Sequence, residues 1–209
     1  MYCLQGLQQP FPKYLTPPGT TVPAEYMQVI PAYTQLNDIV QQYSRKIHRV
    51  APDGNCLFRA LSHQAFGDQM YHIQIRKALV TQISNNLEKY QPFYIGRNPF
   101  HEHVSSMYKD GIWGTQLEIQ AAADCFGLPI YELMYNCATS SHKWIAFKPR
   151  HTVSLPEEIM SRPHFPFTVN HIELLHNKYH YDSIVSDNFC KLQVPNLTPI
   201  ENTSIIHVD

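Results

Sequence analysis

Apolar residues recur at helical spacing through the first half of the chain and at strand spacing through the second. Leu36, Ile39, Val40, Tyr43 and Ile47 fall three and four positions apart, one face of a helix that starts near Thr34. Residues 47–51 (IHRVA) read as a short extended piece, and Pro52 steers Ala51 away from helical dihedrals. Asp53-Gly54-Asn55 is turn chemistry. Leu57, Ala60, Leu61 and Ala65 then keep a helical face as far as Gly67, so Cys56 stands at the first turn of a helix. A second helix is expected from Asp68, a capping residue type, along Ile75, Leu79, Ile83, Leu87 and Tyr90 until Pro92 stops it. A short helix follows from Asn98 or Pro99 to Tyr108, ended by Asp110-Gly111. Thr115 and Glu118 have the spacing of a capping box ahead of Ile119, Ala122, Ala123 and Phe126, with Gly127 closing that helix. Residues 129–135 (PIYELMY) and 143–148 (KWIAFK) read as strands, and 171–176 and 179–185 as a closing pair turned at Asn177-Lys178. Helices first and strands afterwards predict an α+β architecture, a small mixed β-sheet flanked by helices.

The ends of the chain lack this periodicity. Residues 1–33 carry only Lys13 and Glu25 as charges and are interrupted by proline from Pro10 to Pro31, which reads as an extended arm or linker. A single domain is expected over 34–185, with a tail from 186 to 209 broken by Pro195 and Pro199. Of the 209 residues 44% are hydrophobic and 16% charged, enough apolar material for a packed core. A net charge of −1 gives no basic footprint, so nucleic acid is not an expected partner. No stretch approaches the roughly 20 apolar residues of a membrane span, and a secretory signal is not expected from the first residues. Five cysteines, an odd number, leave at least one thiol unpaired and do not look like a disulfide framework. A reducing compartment is expected, the cytoplasm first and the nucleus second.

The chemistry gathers around Cys56. A helix N-terminus presents unpaired amides and a partial positive charge, which favour thiolate over thiol and can receive the oxyanion of a tetrahedral intermediate. Gly54 lets the backbone turn tightly just ahead of it. A base is supplied by His180: on a strand, His180 and Asp182 share a face, so the carboxylate can hold one imidazole nitrogen and leave the other for the thiol. Other groupings are weaker. His101-Glu102-His103 does not share a helical face, and Cys125, Cys137 and His142 lack zinc spacing, so neither metal nor cofactor is expected. Cys125, in the alanine helix, reads as core.

Asp53-Gly54-Asn55-Cys56-Leu57-Phe58-Arg59-Ala60 resembles the nucleophile signature of the ovarian-tumour (OTU) family of cysteine proteases. Trp113-Gly114-Thr115 with Glu118 and the alanine helix resembles its second block, and Tyr179-His180-Tyr181-Asp182-Ser183 its histidine motif. Residues 75–95 resemble the long helix after the nucleophile, so the likeness covers roughly 47–185. The resemblance implies a papain-like fold and a thiol-dependent deubiquitinase, cutting isopeptide bonds at the C-terminus of ubiquitin through an acyl-enzyme. It implies Cys56 as nucleophile and His180 as general base. Asp182 and Asp53 compete as the acid that orients the imidazole, with Asp182 favoured by its direct geometry and Asp53 read as fixing the cysteine loop. Gly54, Asn55 and Cys56 match positions whose backbone amides surround the oxyanion hole. Trp113 and Gly114 match a segment flanking the substrate's C-terminal tail, with core packing an equal reading for Trp113. Ubiquitin or polyubiquitin is the implied partner of a monomeric enzyme. A polyprotein or ubiquitin-like modifier is an alternative substrate, and an inactive ubiquitin-binding module the alternative from another class.

Overall fold

The structure, a computed structural model, describes residues 30–136, 139–150, 170–177 and 180–186. Residues 1–29 of the expected arm, the tail beyond Ser186, most of the proline-rich segment after Arg150, and Cys3, Cys137 and Cys190 lie outside these residues.

Helix α1 spans Ile30–Gln41 and buries Leu36 and Val40. It begins inside the expected arm, with Pro31 tolerated in its first turn, and it ends earlier than the helical spacing suggests. Ser44 takes a positive φ of 55°, Tyr43 is 48% exposed, and Ile47 lies in strand β1 (Arg45–His48), opposite Ile184. The apolar recurrence ran across a turn, so Ile47 keeps its burial partner but changes element. Helix α2 is Cys56–Phe66, closed by Gly67 at φ 74°. The next helix, α3, begins at His72 rather than Asp68: the Asp68 carboxylate accepts the Met70 amide at 2.8 Å and so caps a turn ahead of the helix. It ends at Asn85, and the expected continuation becomes a separate turn, α4 (Leu87–Tyr90), with a 3₁₀ turn Gln91–Phe93 carrying Pro92. Helices α5 (Phe100–Met107) and α6 (Gln116–Phe126) follow, the latter with both bonds of the Thr115/Glu118 capping box and Gly127 in the left-handed region.

Strands β2 (Ile130–Asn136), β3 (Ser141–Phe147), β4 (Ile172–Asn177) and β5 (His180–Ser186) join β1 in one five-stranded sheet of order β1-β5-β4-β2-β3. The β2–β4 pair is parallel and the other three pairs are antiparallel, so the sheet is mixed, as expected. Alternation divides the strands between two apolar clusters. Ile130, Leu174 and Tyr181 pack with α2, α3 and α6, whereas Leu133, Tyr135, Leu175 and Ile184 pack with Leu36 and Val40 of α1. The run Ala121, Ala122, Ala123 is fully buried, and such small side chains let α6 approach its neighbours closely.

Candidate active site

Cys56 is the first residue of α2 and is buried. Asn55 stands at the N-cap position, yet its side chain does not cap the helix. Its Oδ1 accepts instead from Arg76 at 2.7 Å and from the Gly111 amide at 3.3 Å. The first amides of α2 are thus left without a side-chain acceptor from Asn55, which suits an oxyanion.

His180 opens β5. Its Nε2 lies 3.0 Å from Asp182 Oδ1, and its ring also hydrogen-bonds Cys56. Nδ1 is the nitrogen left for the thiol. Burial alone would lower this imidazole, but the bonds to Asp182 and Cys56, and the charges of both, raise it to about 9. Asp182 is 1% exposed and is itself held: the Val50 amide donates to Oδ1 at 3.0 Å, and Arg49 Nε lies 3.5 Å from Oδ2. The register explains these partners. His48 pairs with Ser183, so the chain leaving β1 runs alongside Asp182. Tyr181 and Ser183 point to the other face, where Tyr181 donates to Glu132 and Ser183 to the Ala60 carbonyl of α2.

Asp53 does not meet the histidine. One carboxylate oxygen accepts the Asn55 amide at 3.1 Å, and the other pairs with Arg59. Burial would raise this carboxyl, but Arg59 and the Asn55 amide hold it below its usual value. The geometry therefore gives the imidazole to Asp182 and the loop to Asp53. It also narrows the expected oxyanion loop: the Asn55 amide is already engaged by Asp53, so of that set the amides of Gly54 and Cys56 remain. Gly54 has φ 82°, and a Cβ there would stand 2.2 Å from the Gly111 carbonyl oxygen. Glycine is required by the neighbouring loop as well as by the turn.

Gly114 behaves similarly. A Cβ would meet Leu57 Cδ2 at 2.4 Å, so the close approach that its small size permits is to the protein's own α2, beside the nucleophile. Trp113 is partly buried next to it. His103 Nε2 donates to Glu118 Oε1 at 3.0 Å, and His101 is exposed. Among the described residues no group of three or more His, Cys, Asp or Glu is placed to hold a metal ion. Cys125 is buried, and burial with the charge of Asp124 pushes its thiol up to about 12. Sequence reasoning missed Arg76 and Val50. One stands beside Lys77 in a helix of mixed polarity and the other acts through its backbone, and no local pattern marks either.

A thiol at a helix start, bonded to a histidine that a buried carboxylate holds, defines the cysteine-protease class. The family model for OTU-like cysteine proteases matches residues 51–181, more than half of the chain, and the chain belongs to that family. It is 38% identical over 78 residues to OVARIAN TUMOR DOMAIN-containing deubiquitinating enzyme 7 of Arabidopsis thaliana, covering 37% of this chain and 21% of that protein. It is 28% identical over 142 residues to human OTU domain-containing protein 5, covering 68% of this chain and 22% of that protein. The chain thus spans about a fifth of the length of these curated relatives. Among solved structures, the OTU domain of OTUD1 superposes with a TM-score of 0.61 at 20% identity, covering 78% of this chain and 99% of that one, which shows the shared fold.

Proposed function

We propose that the protein is a deubiquitinase that hydrolyses isopeptide bonds at the C-terminal glycine of ubiquitin. The observation that carries this reading is the Cys56–His180–Asp182 arrangement at an α2 start that Asn55 leaves uncapped. The likeness to an Arabidopsis protein named as a deubiquitinating enzyme supports ubiquitin as the substrate. In this reading Sγ of Cys56 attacks the glycine carbonyl while the amides of Gly54 and Cys56 receive the oxyanion. His180 gives its proton to the departing lysine amine. It then takes a proton from the water that releases the acyl-enzyme. A histidine held protonated near neutrality is poised for the first of these transfers. Asp182 keeps the ring oriented, and Asp53 with Arg59 fixes the turn before the nucleophile. Trp113 and Gly114, packed beside α2, flank the substrate's C-terminal tail. The chain works as a monomer in a reducing compartment, the cytoplasm first and the nucleus second, where Cys56 stays a thiol.

Ubiquitin bearing a C-terminal propargylamide tests the reading directly. A covalent adduct at Cys56, found by peptide mass spectrometry and lost on His180→Ala, is the expected result. No adduct with ubiquitin but one with a ubiquitin-like modifier would move the substrate to that class. No adduct with any of them, together with retained non-covalent ubiquitin binding, would make the domain a binding module.

A further inference from the structure

Arg76 lies on α3 beside the apolar stripe Ile75, Leu79 and Ile83, and only 1% of it is exposed. Burying a guanidinium is costly unless it is paired. Among the described residues no carboxylate forms an ion pair with it, and its Nε has no acceptor. Its compensation is a set of uncharged oxygens. One terminal nitrogen donates to the Met107 carbonyl at 3.2 Å. The other donates to Asn55 Oδ1 at 2.7 Å, the Ile112 carbonyl at 2.6 Å and the Gly54 carbonyl at 3.3 Å. The guanidinium also stacks over the Phe58 ring, 3.9 Å from its centroid. Burial lowers it to about 10, against the charges of Asp110, Glu118, Asp53 and Cys56, so it remains a cation at neutral pH.

Two loops therefore converge on one cation: the turn before Cys56 and the segment from the end of α5 to Ile112. Gly111 adds its own amide to Asn55 Oδ1. The peptide between Gly54 and Asn55 is gripped on both edges, its carbonyl by Arg76 and its N–H by Asp53. Holding Asn55 Oδ1 also keeps that side chain off the helix amides it would otherwise cap.

We infer that Arg76 is a positioning residue for acyl transfer: it fixes the Gly54–Asn55 peptide and the Asn55 side chain so that the first amides of α2 stay open to an oxyanion, and it ties that loop to residues 107–112. This rests on Cys56 being the nucleophile, though not on ubiquitin being the substrate.

Two reagents that reach the same thiol separate positioning from general damage. In acylation by p-nitrophenyl acetate, Cys56 sulfur bonds to the ester carbonyl through an oxyanion, and p-nitrophenolate leaves as the C–O bond breaks. In alkylation by iodoacetamide the sulfur bonds to the methylene carbon as the C–I bond breaks and iodide leaves, with no oxyanion formed. Arg76→Lys keeps the charge but not the fork. It is expected to lower the ratio of acylation to alkylation rate at Cys56 at least tenfold, with alkylation within threefold of wild type. Turnover of ubiquitin-aminomethylcoumarin should lose kcat by a similar factor with KM within threefold. Asn55→Ala leaves the cation in place but removes the oxygen that ties the turn before Cys56 to Arg76 and the Gly111 amide; it should lower the ratio as well, and the double variant should fall no further than the worse single one. An unchanged ratio in both single variants, or equal losses of acylation and alkylation, overturns the inference. A wild type that acylates at Cys56 but ignores ubiquitin refutes the proposed substrate and leaves the ratio as the measure of Arg76.

Discussion

Each of the residues that converge at Cys56 has a distinct partner, and the partners separate their roles. Cys56→Ala removes one sulfur from a buried helix start, so turnover should drop by at least about 10⁴-fold. The melting temperature should stay close to that of the parent. His180→Ala should cost about 10² to 10⁴-fold in kcat, the range of a general acid–base group, and Asp182→Asn should cost less, because an amide oxygen can still accept from the imidazole. Asp53→Asn should leave kcat within a few fold, since its carboxylate serves Arg59 and the Asn55 amide. Steady-state kinetics of the three, compared at matched thermal stability, decide the assignment; a larger kcat loss for Asp53→Asn than for Asp182→Asn would reverse it. His180 also links stability to pH. Its folded pKa, raised to about 9, stands above the ordinary value of 6.5. The folded state therefore holds the extra proton, and its contribution is complete below pH 6.5 and lost as pH rises to about 9. Denaturant midpoints should fall across that window, and Asp182→Asn should flatten the fall.

Between elements, the interface of β1 and α2 carries a second and opposite dependence. His48 of β1 stacks on His63 of α2 with ring centroids 3.6 Å apart and planes 7° from parallel. Burial, then the neighbouring His48, lowers His63 to about 4, and burial also lowers His48 against the charge of Asp182. A histidine depressed in the folded state gives stability that is whole above pH 6.5 and is lost as pH falls towards 4. For His63 alone the loss is on the order of 3 kcal/mol. Urea titrations from pH 7 to 4.5 should show it, and His63→Phe, which keeps a flat ring against His48, should reduce the slope. An unaltered slope in that variant would place the acid sensitivity elsewhere. The Thr115 cap of α6 is a local device of ordinary size. Thr115→Ala should lower stability by about 1 kcal/mol, read as a shift in urea midpoint at constant slope.

On the scale of the whole molecule, the two described thiols should part company. Cys125, buried in α6 with its thiol pushed up to about 12, should react with iodoacetamide far more slowly than Cys56 at pH 8. Mass spectrometry of the two peptides over time checks this, and comparable rates would contradict the packing of α6. The order and type of most elements could be read from the chain, because helix starts, caps and strand alternation depend on residues within about four positions of one another. Cys56 opening a helix, the Thr115/Glu118 box, Gly67 and Gly127 as closing residues, and the shared face of His180 and Asp182 are all of that kind. The misread boundaries have the same origin. Ile47 matched a helical repeat although the positive φ of Ser44 had already ended α1, and Asp68 caps a turn ahead of α3 rather than α3 itself. What no local pattern contains is contact between distant segments. Pairing of β1 with β5 brings Val50 to Asp182, 132 residues away. The meeting of the cysteine loop with residues 107–112 over Arg76 excludes a side chain at Gly54 and turns Asn55 away from its helix. Residue types and short spacings fixed which groups can do chemistry; the sheet register and the packing of α3 decided which carboxylate holds the histidine and which amides remain for the oxyanion, because those choices depend on through-space hydrogen bonds between segments that the chain separates.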